Sequence, residues 1–245
     1  MGIRGIRETR DINKIMPYED DPRYGDPDTY YAEFCDLAPC GGADGLFGYA
    51  HRAIERPYRP GDKYSDVIEV GAGTGLHFRF VQHAFMRYEL TELREASVEK
   101  ARTSFANDPR VTCSVADAQD LPYEDRSFDR LIATCVLIHL PEPEKALMEW
   151  RRVVRTNGIV TFYVPREGAL LDLVRRLTTI REAKRLGYHG YELMMAREHG
   201  RRSQALDRLI AHQFRKDHLI RRSGPLPSSP PAFRLYTVYE ARILT

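Results

Sequence analysis

Short apolar runs, each closed by a polar or glycine-rich break, recur through the middle of the chain. Val67, Ile68 and Val70 make the first, Tyr88–Glu92 the second and Arg110–Val115 the third. A nearly unbroken run over 127–141 predicts a central parallel strand covered on both faces, and Gly158–Val164 predicts a fifth strand. A helix carrying Leu147 and Trp150 precedes the fifth strand. Ahead of the first strand, Tyr30–Phe34 and Leu46–Glu55 read as helices. Beyond the fifth, apolar residues at 170, 171, 173, 174 and 177 recur at helical spacing. A second element follows over Tyr188–His199 and a third helix over about 202–214. Strands at Asp217–Ile220 and Phe233–Tyr239 would close the sheet antiparallel, joined by the proline-rich 224–231.

The first strand runs into Gly71-x-Gly73-x-Gly75. Glycine there allows a tight turn and close approach of a ligand, and a helix is expected to follow with its free N–H groups toward that ligand. The dinucleotide spacing would need glycine at 76, where Leu76 stands. Glu69, two residues before the first glycine, would repel a pyrophosphate but suits a ligand with an ammonium group and no phosphate. S-adenosylmethionine is such a ligand. The glycines by themselves are also compatible with a turn that binds nothing. Glu92 follows Gly71 at the offset of about 20 residues at which an acid accepts ribose hydroxyls. Asp117, with Asp120 as the alternative, stands just past the third strand, where an acid can accept from an adenine amino group or simply cap a loop.

Taken together, Glu69-x-Gly71-x-Gly73-x-Gly75, Glu92, Asp117-Ala118-x-x-Leu121-Pro122, Phe128-Asp129 and Val136-Leu137-x-His139-Leu140 resemble the class I S-adenosylmethionine-dependent methyltransferases over about residues 60–165. The nearest likeness is to the small-molecule branch that includes ubiquinone and menaquinone biosynthesis enzymes. The resemblance implies a Rossmann-like α/β fold, its seven-stranded sheet ordered 3-2-1-4-5-7-6 with helices on both faces. It also implies S-adenosylmethionine as cofactor and S-adenosylhomocysteine as product. Cofactor contacts would come from Glu69, Gly71, Ala72, Gly73, Gly75, Glu92, Leu93, Asp117, Ala118 and Thr134, with Tyr31 and His51 from leading helices that cover the ligand. One departure is Thr156-Asn157-Gly158, where the family often has Pro-Gly-Gly before the fifth strand. That turn should lie at the end of the sheet away from the ligand crevice.

Composition bounds the rest. The 245 residues are 42% hydrophobic and 29% charged, as in an ordinary globular protein of one generous domain. An arm and helices over 1–60 would precede a methyltransferase domain over 61–245, with 166–200 inserted as a helical lid. No apolar run approaches a membrane span and Met1–Arg7 has no signal-like apolar region, so a cytoplasmic, non-membrane protein is expected. Cys113 and Cys135 read as small core residues; Cys35 and Cys40 have no zinc spacing, and no metal is expected. Residues 151–223 hold 17 Lys+Arg against 7 Asp+Glu, a local +10 in a chain of +2. That excess is either a solvated helical face or a lid that draws in an anionic substrate.

Methyl transfer to oxygen or nitrogen of a small metabolite is the leading reading. A protonated acceptor needs a base, and histidine titrates in the right range. His139, just past the fourth strand at the crevice mouth, is the first candidate for base or acceptor contact, with His189 and His199 as alternatives. Tyr188 and Tyr191 are candidate substrate contacts from the lid. RNA or protein methylation is a second reading, disfavoured because no RNA-binding module is visible and Thr134-Cys135-Val136-Leu137 replaces an Asn-Pro-Pro-Tyr-like tetrapeptide. A third is a non-catalytic S-adenosylmethionine-binding interaction protein. A small-molecule substrate, no nucleic-acid partner and a monomer or homodimer are expected.

Overall fold

The computed structural model describes residues 46–166, 203–224 and 236–244, with single positions 177, 181 and 185. Within them, helix α1 (Leu46–Glu55) leads into β1 (Asp66–Val70), a 3-10 turn (Leu76–Phe80), β2 (Arg87–Glu92), α2 (Glu95–Phe105), β3 (Val111–Val115) and β4 (Phe128–Thr134). Then come α3 (Pro143–Val153), β5 (Val154–Pro165), α4 (Ser203–Gln213), β6 (His218–Gly224) and β7 (Tyr236–Arg242). The seven strands form one sheet in the order β3-β2-β1-β4-β5-β7-β6. Strands β1 to β5 pair in parallel, and β7 runs antiparallel to both β5 and β6.

The sheet is buried on both faces, which is why its central strands are apolar without alternation. One face packs Ile68, Val70, Leu131, Ala133, Val160 and Phe162 against Leu147 and Trp150 of α3 and Leu206 and Ile210 of α4. In α3 the buried Ala146, Leu147, Trp150 and Val153 follow helical spacing, and Pro143 stands in the first turn, where its missing N–H costs nothing. The opposite face packs Val67, Tyr88, Leu90 and Ile132 against Ala50 and Ile54 of α1, so α1 belongs to the sheet's own core. Asp129 fixes the lower end of the sheet. It accepts from the Asp66 N–H at 2.9 Å and from Arg155, whose Nη1 also reaches Asp66.

Four expectations are corrected. No α-helix follows the glycine turn; a five-residue 3-10 turn stands there. The chain spends the length a helix would need on an extended return beneath β1, where Ala84 N–H bonds Asp62 O, Tyr64 N–H bonds Ala84 O and Met86 N–H bonds Ser65 O. The Thr156-Asn157-Gly158 turn lies inside β5 and not ahead of it; Asn157 has φ 68°, and the β4–β5 register shifts between Phe128 and Arg130. It is nonetheless at the lower end of the sheet, since Gly158 is followed by Ile159 opposite Arg130 near the start of β4. Cys113 and Cys135 are only half-buried. Cys113 lies in the edge strand β3, and Cys135 lies past the end of β4 in left-handed conformation at φ 59°. The last two strands run to Gly224 and Arg242, beyond the expected ends, and residues 233–235 lie outside the described ones.

Candidate functional site

In an open parallel sheet, ligands bind beyond the carboxyl ends of the strands where the strand order reverses. Here that point is between β1 and β4, which pair with each other while their sequence neighbours lie on opposite sides. Glu69, the glycine turn, Glu92, Asp117, Thr134 and His139 all stand at or just past the ends of β1, β2, β3 and β4, so the sheet brings them to one edge.

The turn itself is fixed by backbone. Gly71, Gly73 and Gly75 all have positive φ, 65°, 57° and 88°, a region that costs an L side chain roughly 1–2 kcal/mol. A Cβ on Gly71 would collide with Val136, whereas one on Gly73 would meet nothing within 4 Å. Gly73 therefore borders open space, and Gly71 is pressed against the loop after β4. Ala72 N–H bonds Thr91 O at 2.9 Å and Gly75 N–H bonds Ala72 O at 2.9 Å. The Ala72 amide is thus spent on β2 and the Gly75 amide within the turn.

Glu92 is the acid that meets this turn. Its Oε2 accepts the Gly73 N–H at 3.1 Å, and its Oε1 accepts the Leu93 and Arg94 N–H groups at 2.8 and 3.2 Å. A carboxylate offers about four lone-pair sites, so three are occupied and acceptor capacity remains for a ligand hydroxyl. Leu93 and Val115, at neighbouring strand tips in the register of Glu92, are exposed apolar side chains at the same edge. Asp117 Oδ1 accepts from Gln119 N–H at 2.9 Å and Gln119 Nε2 at 3.2 Å, and Ala118 beside it is buried.

Glu69 is fully buried. Its Oε2 accepts the Tyr88 hydroxyl at 2.9 Å, while Oε1 has no hydrogen-bond partner among the described residues. Burial pushes its carboxyl up to about 6, against the opposing pull of His77 and the Tyr88 hydrogen bond. A buried, half-satisfied carboxylate is costly unless a partner reaches its second oxygen. It fits a cationic group brought by a ligand, which is the test that the ammonium of S-adenosylmethionine passes and a pyrophosphate fails.

Across the crevice, Thr134 ends β4 opposite Tyr163, and His139 is exposed, its Nε2 3.9 Å from Cys135 Sγ. His51, expected at the cofactor, is instead buried in α1: its Nδ1 is 2.9 Å from His77 Nδ1, and its ring stacks on Phe80. Burial, reinforced by His77, lowers its imidazole to about 3, so it is neutral at physiological pH. Tyr31, Tyr188, Tyr191, His189, His199 and the expected lid over 166–200 lie outside the described residues, except Arg166 and single positions.

Sequence reasoning passed over the buried cluster beneath this edge. His77 in the 3-10 turn reaches Glu55 of α1 at 3.0 Å, and Glu55 takes Arg130 of β4 through both oxygens. Arg130 is fully buried, with Tyr58 stacked at 3.7 Å. Burial works against the Glu55 charge, but Arg130 and His77 hold its carboxyl down to about 2. The available signal was Arg130 itself, a cation inside an apolar strand that must have a partner. The basic excess over 151–223 is also less open than its count suggests. Arg151, Arg152, Arg155, Arg166, Arg221 and Arg222 each have a carboxylate partner. Arg208, Arg215 and Lys216 add further positive charge among the described residues.

Residues 68–162 match the methyltransferase domain family. The chain is 33% identical over 92 residues to a demethylmenaquinone methyltransferase of Clavibacter sepedonicus, 38% of each chain. It is 29% identical over 128 residues to a phosphatidylethanolamine N-methyltransferase of Cereibacter sphaeroides, 50% of this chain and 62% of that one. The chain thus spans less than two thirds of the length of these curated relatives. Among solved structures, the methyltransferase bound to the Trm112 activator of Haloferax volcanii superposes with a TM-score of 0.62 at 18% identity, covering 89% of this chain and 97% of that one. The curated relatives are spread over several small-molecule branches, so the expected likeness to ubiquinone and menaquinone enzymes is too narrow. S-adenosylmethionine is the methyl donor of this fold and S-adenosylhomocysteine its product. No helix among the described residues is long and apolar enough to cross a membrane. The sheet order and the glycine turn agree with the family match: the described strands form the class I S-adenosylmethionine-dependent methyltransferase fold, and residues 68–162 match the methyltransferase domain family within it.

Proposed function

We propose that the chain is an S-adenosylmethionine-dependent methyltransferase acting on an oxygen or nitrogen atom of a small metabolite. The observation that carries this reading is the Glu69 carboxylate, buried before the glycine turn with one oxygen unpartnered. In this reading Glu69 neutralises the ligand's ammonium, Glu92 accepts a ribose hydroxyl and Asp117 an adenine amino group, and the open space at Gly73 admits the ligand. A sulfonium donor brings an already activated methyl group, so the protein's work is alignment and exclusion of water. His139, exposed at the end of β4, takes the acceptor's proton or orients the acceptor. The relatives include both a phosphatidylethanolamine N-methyltransferase and a malonyl-(acyl-carrier protein) O-methyltransferase, which supports methylation of oxygen or nitrogen without choosing between the atoms. A monomer or homodimer in the cytoplasm remains part of the proposal.

The test is transfer of label from methyl-labelled S-adenosylmethionine into a fractionated cell extract. Label in a small-molecule fraction, with stoichiometric S-adenosylhomocysteine, is the expected result. Label in RNA or protein would overturn the acceptor class, and absence of S-adenosylhomocysteine across all fractions would overturn the enzyme reading.

A further inference from the structure

A single turn of 3-10 helix has poor hydrogen-bond geometry and does not hold its own position. The turn after Gly75 is therefore placed by its side chains. Phe78 packs edge-on against Phe85, Tyr88 and Phe105. His77, fully buried, points the other way, to Glu55 at 3.0 Å and His51 at 2.9 Å. Glu55 in turn grips Arg130, and Arg130 sits in the register of Val67 on β1. The loop that would wrap the ligand is thus tied to α1 and to β4 by one charged, buried chain. The same chain surrounds Glu69, whose carboxyl feels His77, Glu55 and Arg130 and is hydrogen-bonded by Tyr88.

We propose that His77 is a positioning residue for the amino-acid end of the methyl donor: by binding Glu55 it fixes the glycine turn and the charged surroundings of Glu69. This rests on the reading of the crevice as an S-adenosylmethionine site. Its consequence is selective. Glu69 and the Gly71–Gly75 turn serve the amino-acid end, whereas Glu92 and Asp117 serve the nucleoside; Glu92 meets the turn through the Gly73 N–H, but its other oxygen is held by the Leu93 and Arg94 N–H groups, and Asp117 by Gln119. Loss of the His77 link should therefore weaken ligands that carry an amino acid and spare those that do not. A residue that merely stabilised the fold would weaken both alike.

The probes are S-adenosylhomocysteine and 5′-methylthioadenosine, which share the nucleoside and differ in the amino-acid end. Both are titrated into wild type, His77→Phe and His77→Gln by calorimetry, with unfolding curves recorded for each. His77→Phe should bind S-adenosylhomocysteine at least tenfold more weakly and 5′-methylthioadenosine within twofold of wild type. His77→Gln keeps an amide donor for Glu55 and should recover most of the loss. If His77→Phe does not fold, His51→Phe, which removes only the outer link, should give the same split at about threefold. Equal weakening of both probes, or unchanged S-adenosylhomocysteine binding, would overturn the proposal while leaving the crevice assignment intact. A wild type that binds neither probe would overturn the assignment and the proposal together.

Discussion

The Gly73 N–H donates to Glu92 Oε2 at 3.1 Å, joining the turn after β1 to the tip of β2. One carboxylate thereby shapes the loop and keeps acceptor capacity toward the space that Gly73 leaves open. Glu92→Ala should weaken S-adenosylhomocysteine by about 1–3 kcal/mol, through lost charge-assisted hydrogen bonds and a loosened turn. Glu92→Gln, which keeps an oxygen for Gly73 but no charge, should fall between. Calorimetry with unchanged affinity in Glu92→Ala would remove Glu92 from the site.

The two inner glycines should respond differently. Gly73→Val meets no protein atom at its Cβ, so the fold should survive the strain of φ 57° at about 1–2 kcal/mol, while cofactor binding is lost. Gly71→Ala drives a Cβ into Val136 and should lower thermal stability more than Gly73→Val does. Equal thermal shifts for the two variants, with ligand binding retained in Gly73→Val, would show that the open space is not used.

The Glu69 carboxyl gives a pH signature. A ligand ammonium favours its ionised form, so below about 6 binding must first remove a proton. Affinity for S-adenosylhomocysteine should fall close to tenfold per unit of pH below that point, and Glu69→Gln should flatten the profile. In the ligand-free protein the sign reverses. A raised carboxyl contributes stability that is full below the ordinary carboxylate pKa and lost as pH rises through about 6, an order of 2 kcal/mol in total. Glu69→Gln should therefore be more stable than wild type at pH 7 and similar at pH 4. His51 acts oppositely. Held near 3, it contributes stability above its ordinary value that is lost as pH falls toward 3, and it does so in both proteins. A stability difference between wild type and Glu69→Gln that does not change with pH would contradict this assignment.

His139 should matter to turnover and not to cofactor binding. If it removes the acceptor's proton, His139→Ala should lower the rate constant about 10²–10⁴-fold with unchanged S-adenosylhomocysteine affinity. If it orients the acceptor, the loss should fall on the Michaelis constant. Unchanged values of both would leave it structural and turn the search to His189 and His199.

The sequence made the scaffold legible because its signals are local. Val67–Val70 running into three glycines, Glu92 at a fixed offset and the apolar run from Phe128 are read within a few residues, and each lands at the expected strand tip. What escaped notice depends on partners far apart in the chain. Arg130 meets Glu55 across 75 positions and Glu55 meets His77 across 22, so neither pairing leaves a periodicity to read. His51 was expected at the cofactor because leading helices in the resembling family lie there; the burial of its ring against Phe80 and His77 came only with the packing of α1. The absence of an α-helix after Gly75 has the same origin, since the return segment ahead of β2 is set by bonds from Ala84 and Met86 to residues 62–65.

The central claim is that the crevice at β1 and β4 holds S-adenosylmethionine, and ligand titration of the wild-type chain tests it most directly. S-adenosylmethionine and S-adenosylhomocysteine should each bind with one-to-one stoichiometry, and at 100 times the dissociation constant should add about 2.7 kcal/mol of stability. NAD should leave both heat and melting temperature unchanged. Stabilisation by NAD without S-adenosylmethionine, or no heat from either adenosyl ligand at millimolar concentration, would contradict the claim.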